Sequence, residues 1–406
     1  MASGVSREQW RKTSLAAMAN YIDAGSIVAG AVGLPLWTEH FGFGTSFVGL
    51  IGAFSSNAIS AGVGALVGGW LCDKLGRRRV YQWDLLLYAF GLLSIIFATE
   101  PWMLVFGYVF TGLAVGVDVP ASWTLIAEAA PKGKHGRHGG LAQVLWLTGP
   151  LVVLLMGLAL SGTGLLGVRL IFAHLLVLSL LIWFLRRRLV ESPLWEEQAP
   201  HARITLVSFK QLTSKPYVTP LVMLTAMYGL WNLHAGTSGF YLPYILTTIG
   251  AQTQAASVAL NAFLFVLGGL SVLLVFMPRA DRGRRTPLFA TAALSQIAAV
   301  LLLALFPLTT AVAFAYVLMS GLCSGFGQQQ FFQLWSAEAF PTLLRATALG
   351  LMFAIVRIAL GGWSLVLRTF LEAGFHGVAW TLIVFLSLSA AVGLAYARRV
   401  GSRNIR

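Results

Sequence analysis

The chain contains repeated apolar stretches, each long enough to cross a lipid bilayer. A spanning helix needs about 20 predominantly apolar residues, and 57% of the 406 residues are hydrophobic whereas 10% are charged. Twelve segments qualify: 14–38, 46–71, 80–99, 102–130, 140–161, 169–185, 217–246, 253–277, 287–306, 309–336, 346–369 and 377–397. Backbone groups in hydrocarbon must find hydrogen-bond partners within the protein. We therefore predict an all-α membrane protein of twelve helices, the first of them a retained helix and not a signal peptide.

The positions of the cations predict the orientation of these helices. Lys and Arg number 28 against 14 Asp and Glu. If the N-terminus lies inside, all cations except Arg169, Arg357 and Arg368 fall in inner loops and tails. Cytoplasmic loops of membrane proteins carry such an excess. We expect a multi-pass protein of a bacterial inner membrane with both termini cytoplasmic, and the basic charge reflects topology, not binding of nucleic acid.

The two halves of the chain repeat short charged motifs. DKLGRRR at 73–79 recurs as DRGRR at 281–285, and AEAAP at 127–131 recurs as AEAFP at 337–341. The polar interval between the halves contains ITLVSFKQLTSK, whose pattern fits a short amphipathic helix on the membrane surface. The predicted domains are two pseudo-symmetric six-helix bundles and a linker: 1–185, 186–216 and 217–406. Parallel repeats predict a substrate site near the middle of the membrane, between the bundles.

Charged residues cluster at the predicted inner helix ends of both halves. We interpret them as a cytoplasmic gate, made when that face is closed and broken when it opens. The predicted gate residues are Asp73, Arg77, Arg78, Glu128, Asp281, Arg284, Glu338 and Arg345. Asp84 is expected to pair with the same arginines. The alternative is that these charges only set the topology.

Several motifs resemble those of the major facilitator superfamily. GWLCDKLGRRR resembles the family's G-x-L-x-D-x-x-G-R-R signature, and VESPLW and AEAFPTLLRATALG resemble elements of its sugar-porter and organic-ion branches. GLAVGVDVPASWTLIAEAAP is similar to a stretch of metabolite and phosphate proton symporters. The resemblance implies a transporter whose two bundles expose a central site to either side in turn. Tyr108 stands where sugar porters often carry an arginine, which argues against their standard coupling pair.

Two carboxylates inside the predicted helices are candidates for proton coupling. Asp23 lies about nine residues into the first apolar segment, roughly 13 Å deep. Burial favours the neutral form of a carboxyl group, which can then exchange a proton near neutral pH. The resembling families place a proton-coupling Asp in this context. Asp118 lies near mid-depth, two residues before Pro120. The repeat aligns it with Gln328 in the second half, so an acid occurs at this position in one half only. The alternative for both is a structural role in helix packing.

Arg357 is the one cation at predicted mid-depth. An unpaired guanidinium in hydrocarbon is very costly, so we expect it to face a carboxylate, an anionic substrate, or each in turn. Organic-anion carriers of the resembling branch also bear an arginine in this helix. The alternative is a fixed salt bridge to Asp118 or Asp23.

The remaining candidates for substrate binding are polar and aromatic residues at similar depth. They are Gln143, Trp146, Trp231, Asn232, His234, Tyr241, Gln328 and Gln329. Consecutive glutamines at 328–330 cannot share one helical face, so we expect one or two of them to line the site.

These observations predict a proton-coupled symporter that imports a small organic anion or related metabolite. The alternatives are a neutral sugar or polyol symporter, a proton-antiporting drug exporter, and a sensor or scaffold without transport. The sequence lacks the nucleotide-binding pattern G-x-x-x-x-G-K-[ST], and no enzyme site, metal site or cofactor is expected. The expected partners are a small molecule, protons and the lipid bilayer, and we expect a monomer.

Overall fold

The computed structural model describes residues 7–44, 47, 50–52, 54, 58–187, 189–199, 207–244, 253–283, 285–372 and 375–403. These residues form twelve long helices, as predicted. In the first half they are α1 Arg7–Phe41, α2 Ile59–Leu75, α3 Arg77–Ile96, α4 Pro101–Ala129, α5 His135–Ala159 and α6 Leu165–Arg186. In the second half they are α7 Val218–Tyr244, α8 Gln254–Ser271, α9 Arg285–Leu305, α10 Thr310–Ser324 with Gln328–Ala339, α11 Thr342–Glu372 and α12 Phe375–Arg403.

Two irregularities interrupt this pattern within the described residues. Helix α8 continues through a π-helical turn at Val272–Phe276 into Met277–Arg279. The linker carries two short helices, Pro193–Gln198 and Val207–Leu212. The second of these lies within the segment predicted to form an amphipathic helix.

Nine of the described helices are long and apolar enough to cross a membrane. They are α1, α4, α5, α6, α8, α9, α10, α11 and α12. Helix α2 is only 17 residues long as described, and α3 opens with three arginines. Helices α2, α3 and α7 nevertheless pack lengthwise against these nine.

The helices pack as two groups that meet along two seams. In the first group α1 packs against α5 and α6, while α4 packs against α2 and α3. In the second group α12 packs against α7 and α9, while α10 packs against α8 and α9. The groups meet where α2 lies against α11 and where α5 lies against α8. The central site predicted from the repeats therefore lies between these two seams.

Small residues bring α2 and α11 into close contact. A Cβ atom at Gly69 would meet the carbonyl oxygen of Ala346 and would lie 3.0 Å from the Cα atom of Gly350. Glycine on both faces lets two membrane helices approach backbone to backbone. This contact closes the seam between the halves near the ends where the predicted gate residues lie.

We expect Gly69→Ala to destabilise the protein, because the added methyl group must displace the α11 backbone. Overpacking of this kind costs about 1–3 kcal/mol. The matched control is Gly362→Ala, whose Cβ would meet no atom within 4 Å among the described residues. Thermal unfolding in detergent tests this: Gly69→Ala should lower the melting temperature, and an equal effect of the two substitutions would contradict the close contact.

Candidate functional site

A buried network of charges joins the ends of the first-half helices where the predicted gate residues lie. One nitrogen of Arg77, Nη2, lies 3.0 Å from Asp73 Oδ1 and 3.0 Å from Glu128 Oε1. All three side chains are inaccessible to solvent. The turn between α2 and α3 at Gly76, with φ 95°, places Asp73 and Arg77 one helical turn apart on neighbouring helices. The structure thus brings together three of the predicted gate residues.

This network is bonded to α11 of the second half. Asp73 Oδ2 accepts hydrogen bonds from the backbone nitrogen and the hydroxyl of Thr347, both at 2.7 Å. Arg77 donates to the carbonyl of Thr342 at 2.6 Å, and Arg345 Nη1 lies 3.3 Å from Glu128 Oε1. These contacts cross the seam between the halves, so separating α2 from α11 at this end would break them.

The second half repeats the arrangement with different partners. Asp281 accepts hydrogen bonds from the backbone nitrogens of Gly136 at 2.8 Å and Arg137 at 3.0 Å, at the start of α5. Arg285 Nη1 lies 2.7 Å from Glu338 Oε2. Arg285 stands four residues after Asp281, as Arg77 does after Asp73, and that spacing is the signal by which the sequence could have identified it. Arg284, the predicted gate residue, lies outside the described residues.

One predicted gate residue is absent from the network, and one acid that was not predicted belongs to it. The Arg78 side chain is exposed, and only its backbone nitrogen takes part, donating to Glu191 at 3.0 Å. Glu191 also accepts from the backbone nitrogens of Arg77 at 3.1 Å and Ser192 at 2.9 Å. Its carboxylate therefore caps the start of α3. The motif VESPLW contained this residue, but its role depends on a contact more than a hundred residues away in sequence.

A cavity lies between the halves at mid-depth. One compartment of about 150 Å³ is lined by Tyr108, Trp146, Tyr228, Trp231, Asn232, Gln329 and Arg357, among others. A second compartment of about 110 Å³ shares Trp146, Trp231 and Gln329 with the first and adds Gln143, His234, Gln296 and Tyr316. Most of the polar groups on these walls are neutral amides, hydroxyls and indole nitrogens, with Arg357 as a cation.

Arg357 is buried in this cavity wall, with 8% of its surface exposed. Its Nη1 donates to Asn232 Oδ1 at 3.3 Å, and its guanidinium carbon lies 5.2 Å from the ring centroid of Phe353. Among the described residues, no carboxylate oxygen lies within 4.0 Å of this guanidinium. The alternative of a fixed salt bridge to Asp118 or Asp23 is therefore wrong for this conformation.

Glutamines join the halves beside the cavity. Gln143 of α5 donates to Gln333 at 2.9 Å and accepts from Gln329 at 3.0 Å, both on α10. Gln329 and Gln330 line the cavity, whereas the predicted Gln328 lines neither compartment and is fully buried. The expectation for Gln328 is wrong, because the helical rotation between adjacent residues turns its side chain away from the cavity.

Two of the remaining candidates on α7, Trp231 and His234, line the second compartment. Trp231 Nε1 donates to Gln296 Oε1 at 2.9 Å, and His234 Nε2 lies 3.2 Å from the hydroxyl of Ser238. The side chain of Tyr241 lies outside the described residues.

The two predicted proton-coupling acids lie inside the first bundle and do not line the cavity. Asp118 Oδ1 lies 3.4 Å from Arg186 Nη1, and Asp84 Oδ1 lies 3.8 Å from the same nitrogen. Asp23 interacts electrostatically with Asp118 in the same buried cluster. The expected pairing of Asp84 with the gate arginines is wrong, because its side chain faces Arg186 on α6. The sequence analysis placed Arg186 among the cations of the inner loops, whereas its side chain is fully buried in the structure.

We expect Arg77→Gln to open the cytoplasmic side, because it leaves the buried carboxylates of Asp73 and Glu128 without their shared cation. Breaking a buried pair in this way costs about 3–5 kcal/mol. Spin labels at the exposed positions Arg79 and Arg282 should move apart. Arg78→Gln is the matched control, with an effect within about 0.5 kcal/mol. If the distance between the labels is the same in the two variants, the network does not act as a gate and its charges only set the membrane topology.

Comparison with known proteins agrees with the architecture. Residues 13–364 match the family described as the Major Facilitator Superfamily. The chain is 42% identical over 404 residues to the minor myo-inositol transporter IolF of Bacillus subtilis (strain 168), covering 97% of this chain and 92% of that protein. It is 26% identical over 335 residues to the alpha-ketoglutarate permease of Escherichia coli (strain K12), covering 78% and 76%.

A solved structure has the same fold. The proton:xylose symporter XylE, bound to 6-bromo-6-deoxy-D-glucose, superposes with a TM-score of 0.82 at 17% identity, covering 96% of this chain and 95% of that one. Family, fold and apolar helices together describe an integral membrane transporter of small molecules, and not an enzyme. The chain belongs to the major facilitator superfamily.

Proposed function

We propose that this protein is a proton-coupled symporter of a neutral polyol or sugar, with an inositol as the first substrate to test. The observation that carries the proposal is the wall of the central cavity, where the amides of Asn232, Gln143 and Gln329 lie among the rings of Trp146 and Trp231. Amides offer both donors and acceptors, as a molecule covered with hydroxyl groups requires. The 42% identity to a myo-inositol transporter supports the same substrate class.

This proposal replaces the organic anion expected from the sequence. That expectation rested on Arg357, and the guanidinium already donates to the neutral oxygen of Asn232. Its remaining N–H groups can donate to hydroxyls as well as to a carboxylate. An organic anion stays the second candidate, because Arg357 lacks a carboxylate within 4.0 Å among the described residues and because the alpha-ketoglutarate permease is a relative.

The coupling and gating roles belong to the same proposal. Asp23 and Asp118 carry the proton, and the neighbour of Asp23, Ala24, lines the cavity. The network around Asp73 and Arg77 holds the cytoplasmic side closed while the cavity receives substrate. The bundles 1–185 and 217–406 then rock about the cavity, as a monomer in a bacterial inner membrane with cytoplasmic termini.

The substrate class is tested by a competition series of matched pairs, with glucose against glucuronate and myo-inositol against alpha-ketoglutarate. In the wild-type protein we expect only the neutral members to compete for uptake. Arg357→Lys should weaken neutral substrates by roughly ten- to a hundredfold, since a hydrogen bond from a charged donor contributes about 1.5–3 kcal/mol. Stronger competition by the carboxylates, lost in Arg357→Lys, would contradict the polyol proposal and favour the anion.

The coupling role of Asp23 is tested by Asp23→Asn. The amide cannot accept and release a proton, so uphill accumulation should disappear while counterflow exchange of substrate continues. Glu39→Gln is the matched control, because Glu39 is an exposed acid on the same helix. Accumulation that survives in Asp23→Asn with an unchanged dependence on the proton gradient would remove Asp23 from the mechanism.

A further inference from the structure

We propose that Arg186 is the positioning cation of the proton-coupling cluster, and that Asp84 is a third carboxylate of that cluster. This inference rests on the proposed proton coupling and adds the groups that set its proton occupancy.

The contacts of Arg186 fix its guanidinium inside the first bundle. Nη1 faces Asp118 and Asp84, at 3.4 and 3.8 Å. Nη2 donates to the hydroxyl of Tyr81, and Nε donates to the carbonyl of Leu15 at 3.3 Å. The guanidinium carbon lies 3.5 Å from the ring centroid of Tyr81, so the ring covers one face of the cation. A fully buried arginine held by three other helices serves a defined electrostatic purpose, since burial of a cation without partners is very costly.

The charge balance of the cluster requires bound protons. Three carboxylates, Asp23, Asp84 and Asp118, are each at most 5% exposed. Two of them, Asp84 and Asp118, lie within 4.0 Å of the single guanidinium of Arg186. Like charges at such short separations cannot all ionise. Each aspartate keeps one oxygen, Oδ2, without a hydrogen-bond partner among the described residues, and these oxygens can carry the proton.

Other charged groups act on the cluster from the surrounding helices. Helix α3 contributes the phenols of Tyr81 and Tyr88, and the guanidinium of Arg357 on α11 interacts electrostatically with Asp23. Arg357 lines the cavity, so substrate bound beside it changes the field at Asp23. This gives a physical route by which polyol binding and proton binding influence each other.

The carboxylates are arranged in depth. Asp84 is seven residues from the inner end of α3, about 10 Å, and Asp118 is eleven residues from the inner end of α4, about 16 Å. Asp23 adjoins the cavity wall at Ala24. A proton taken up by Asp23 from the open cavity can pass to Asp118 and Asp84 and leave to the cytoplasm. Only O–H bonds form and break in this sequence, and Arg186 stays protonated throughout.

The equivalent positions of the second half carry no charge. By the sequence repeats, Tyr81, Asp84 and Asp118 correspond to Phe289, Ala292 and Gln328. Phe289 packs there against the ring of Trp335, with centroids 5.3 Å apart. The fold therefore builds this part of the second bundle without charged groups at these positions, so the acids of the first half are not a general requirement for packing these helices.

The test uses the full-length protein in liposomes, with myo-inositol as substrate and an internal pH dye. Arg186→Gln leaves three carboxylates without a cation, so we expect them to hold their protons too tightly to release them. Proton-driven accumulation should fall at least about tenfold while counterflow exchange persists. The pH midpoint of counterflow should also move upward by about one unit or more, as expected when an opposite charge is removed at this distance. Arg187→Gln, an exposed neighbour, is the matched control.

The charge-retaining variant Arg186→Lys separates an electrostatic from a structural role. Arg186→Lys should keep the proton-driven accumulation that Arg186→Gln loses. If Arg186→Gln does not fold, accumulation retained in Arg186→Lys supports the inference without it. Accumulation lost in Arg186→Lys with counterflow intact, or unchanged in Arg186→Gln, would overturn it. Absence of proton influx with myo-inositol and with sugars in the wild-type protein would instead overturn the proposed function.

Discussion

The buried carboxylate of Asp73 makes the contact on which the seam between the two halves depends. It joins α2 to α11 by accepting two hydrogen bonds from Thr347, and it shares Arg77 with Glu128. Removing one partner of a buried ion pair costs much more free energy than the intact pair contributes to stability, because the remaining charge is left without water or a partner. The seam is therefore stable as long as water is excluded from it. It can open when water replaces the protein partners, which suits a contact that forms and breaks in every cycle.

The same helices carry the gate, the cavity and the proton cluster. Helix α11 bears Thr347 at the gate and Arg357 in the cavity wall, ten residues or about 15 Å apart. Helix α4 bears Glu128 at the gate and Asp118 in the cluster, at the same spacing. A rigid helix transmits a tilt at one end to the other. Under the proposed mechanism, movement of α11 against α2 couples the cavity to the predicted gate, and α4 extends that coupling to the proposed proton-binding acids.

The sequence predicted the helices and the two halves, because hydropathy and repeated motifs depend on local composition. It placed Trp146, Asn232 and Arg357 at the depth where the cavity lies. The sequence could not predict which arginine of the run at 186–188 turns inward, because adjacent arginines differ only in their rotation about the helix axis. The buried position of Arg186 becomes apparent only from its contacts with other helices. Asp84 was assigned to the wrong arginine for the same reason. The lone cation at mid-depth favoured an anion, because the sequence does not show that the polar groups around Arg357 are mostly neutral amides and hydroxyls.

The most direct test of the account measures substrate and proton together in one preparation of wild-type protein. Liposomes with an acidic exterior receive labelled myo-inositol while an internal dye reports pH. We expect inositol to rise inside above its external concentration and protons to enter with it. An uncoupler should abolish both the accumulation and the substrate-dependent proton entry. Inositol that only equilibrates across the membrane, with no substrate-dependent proton influx, would contradict it.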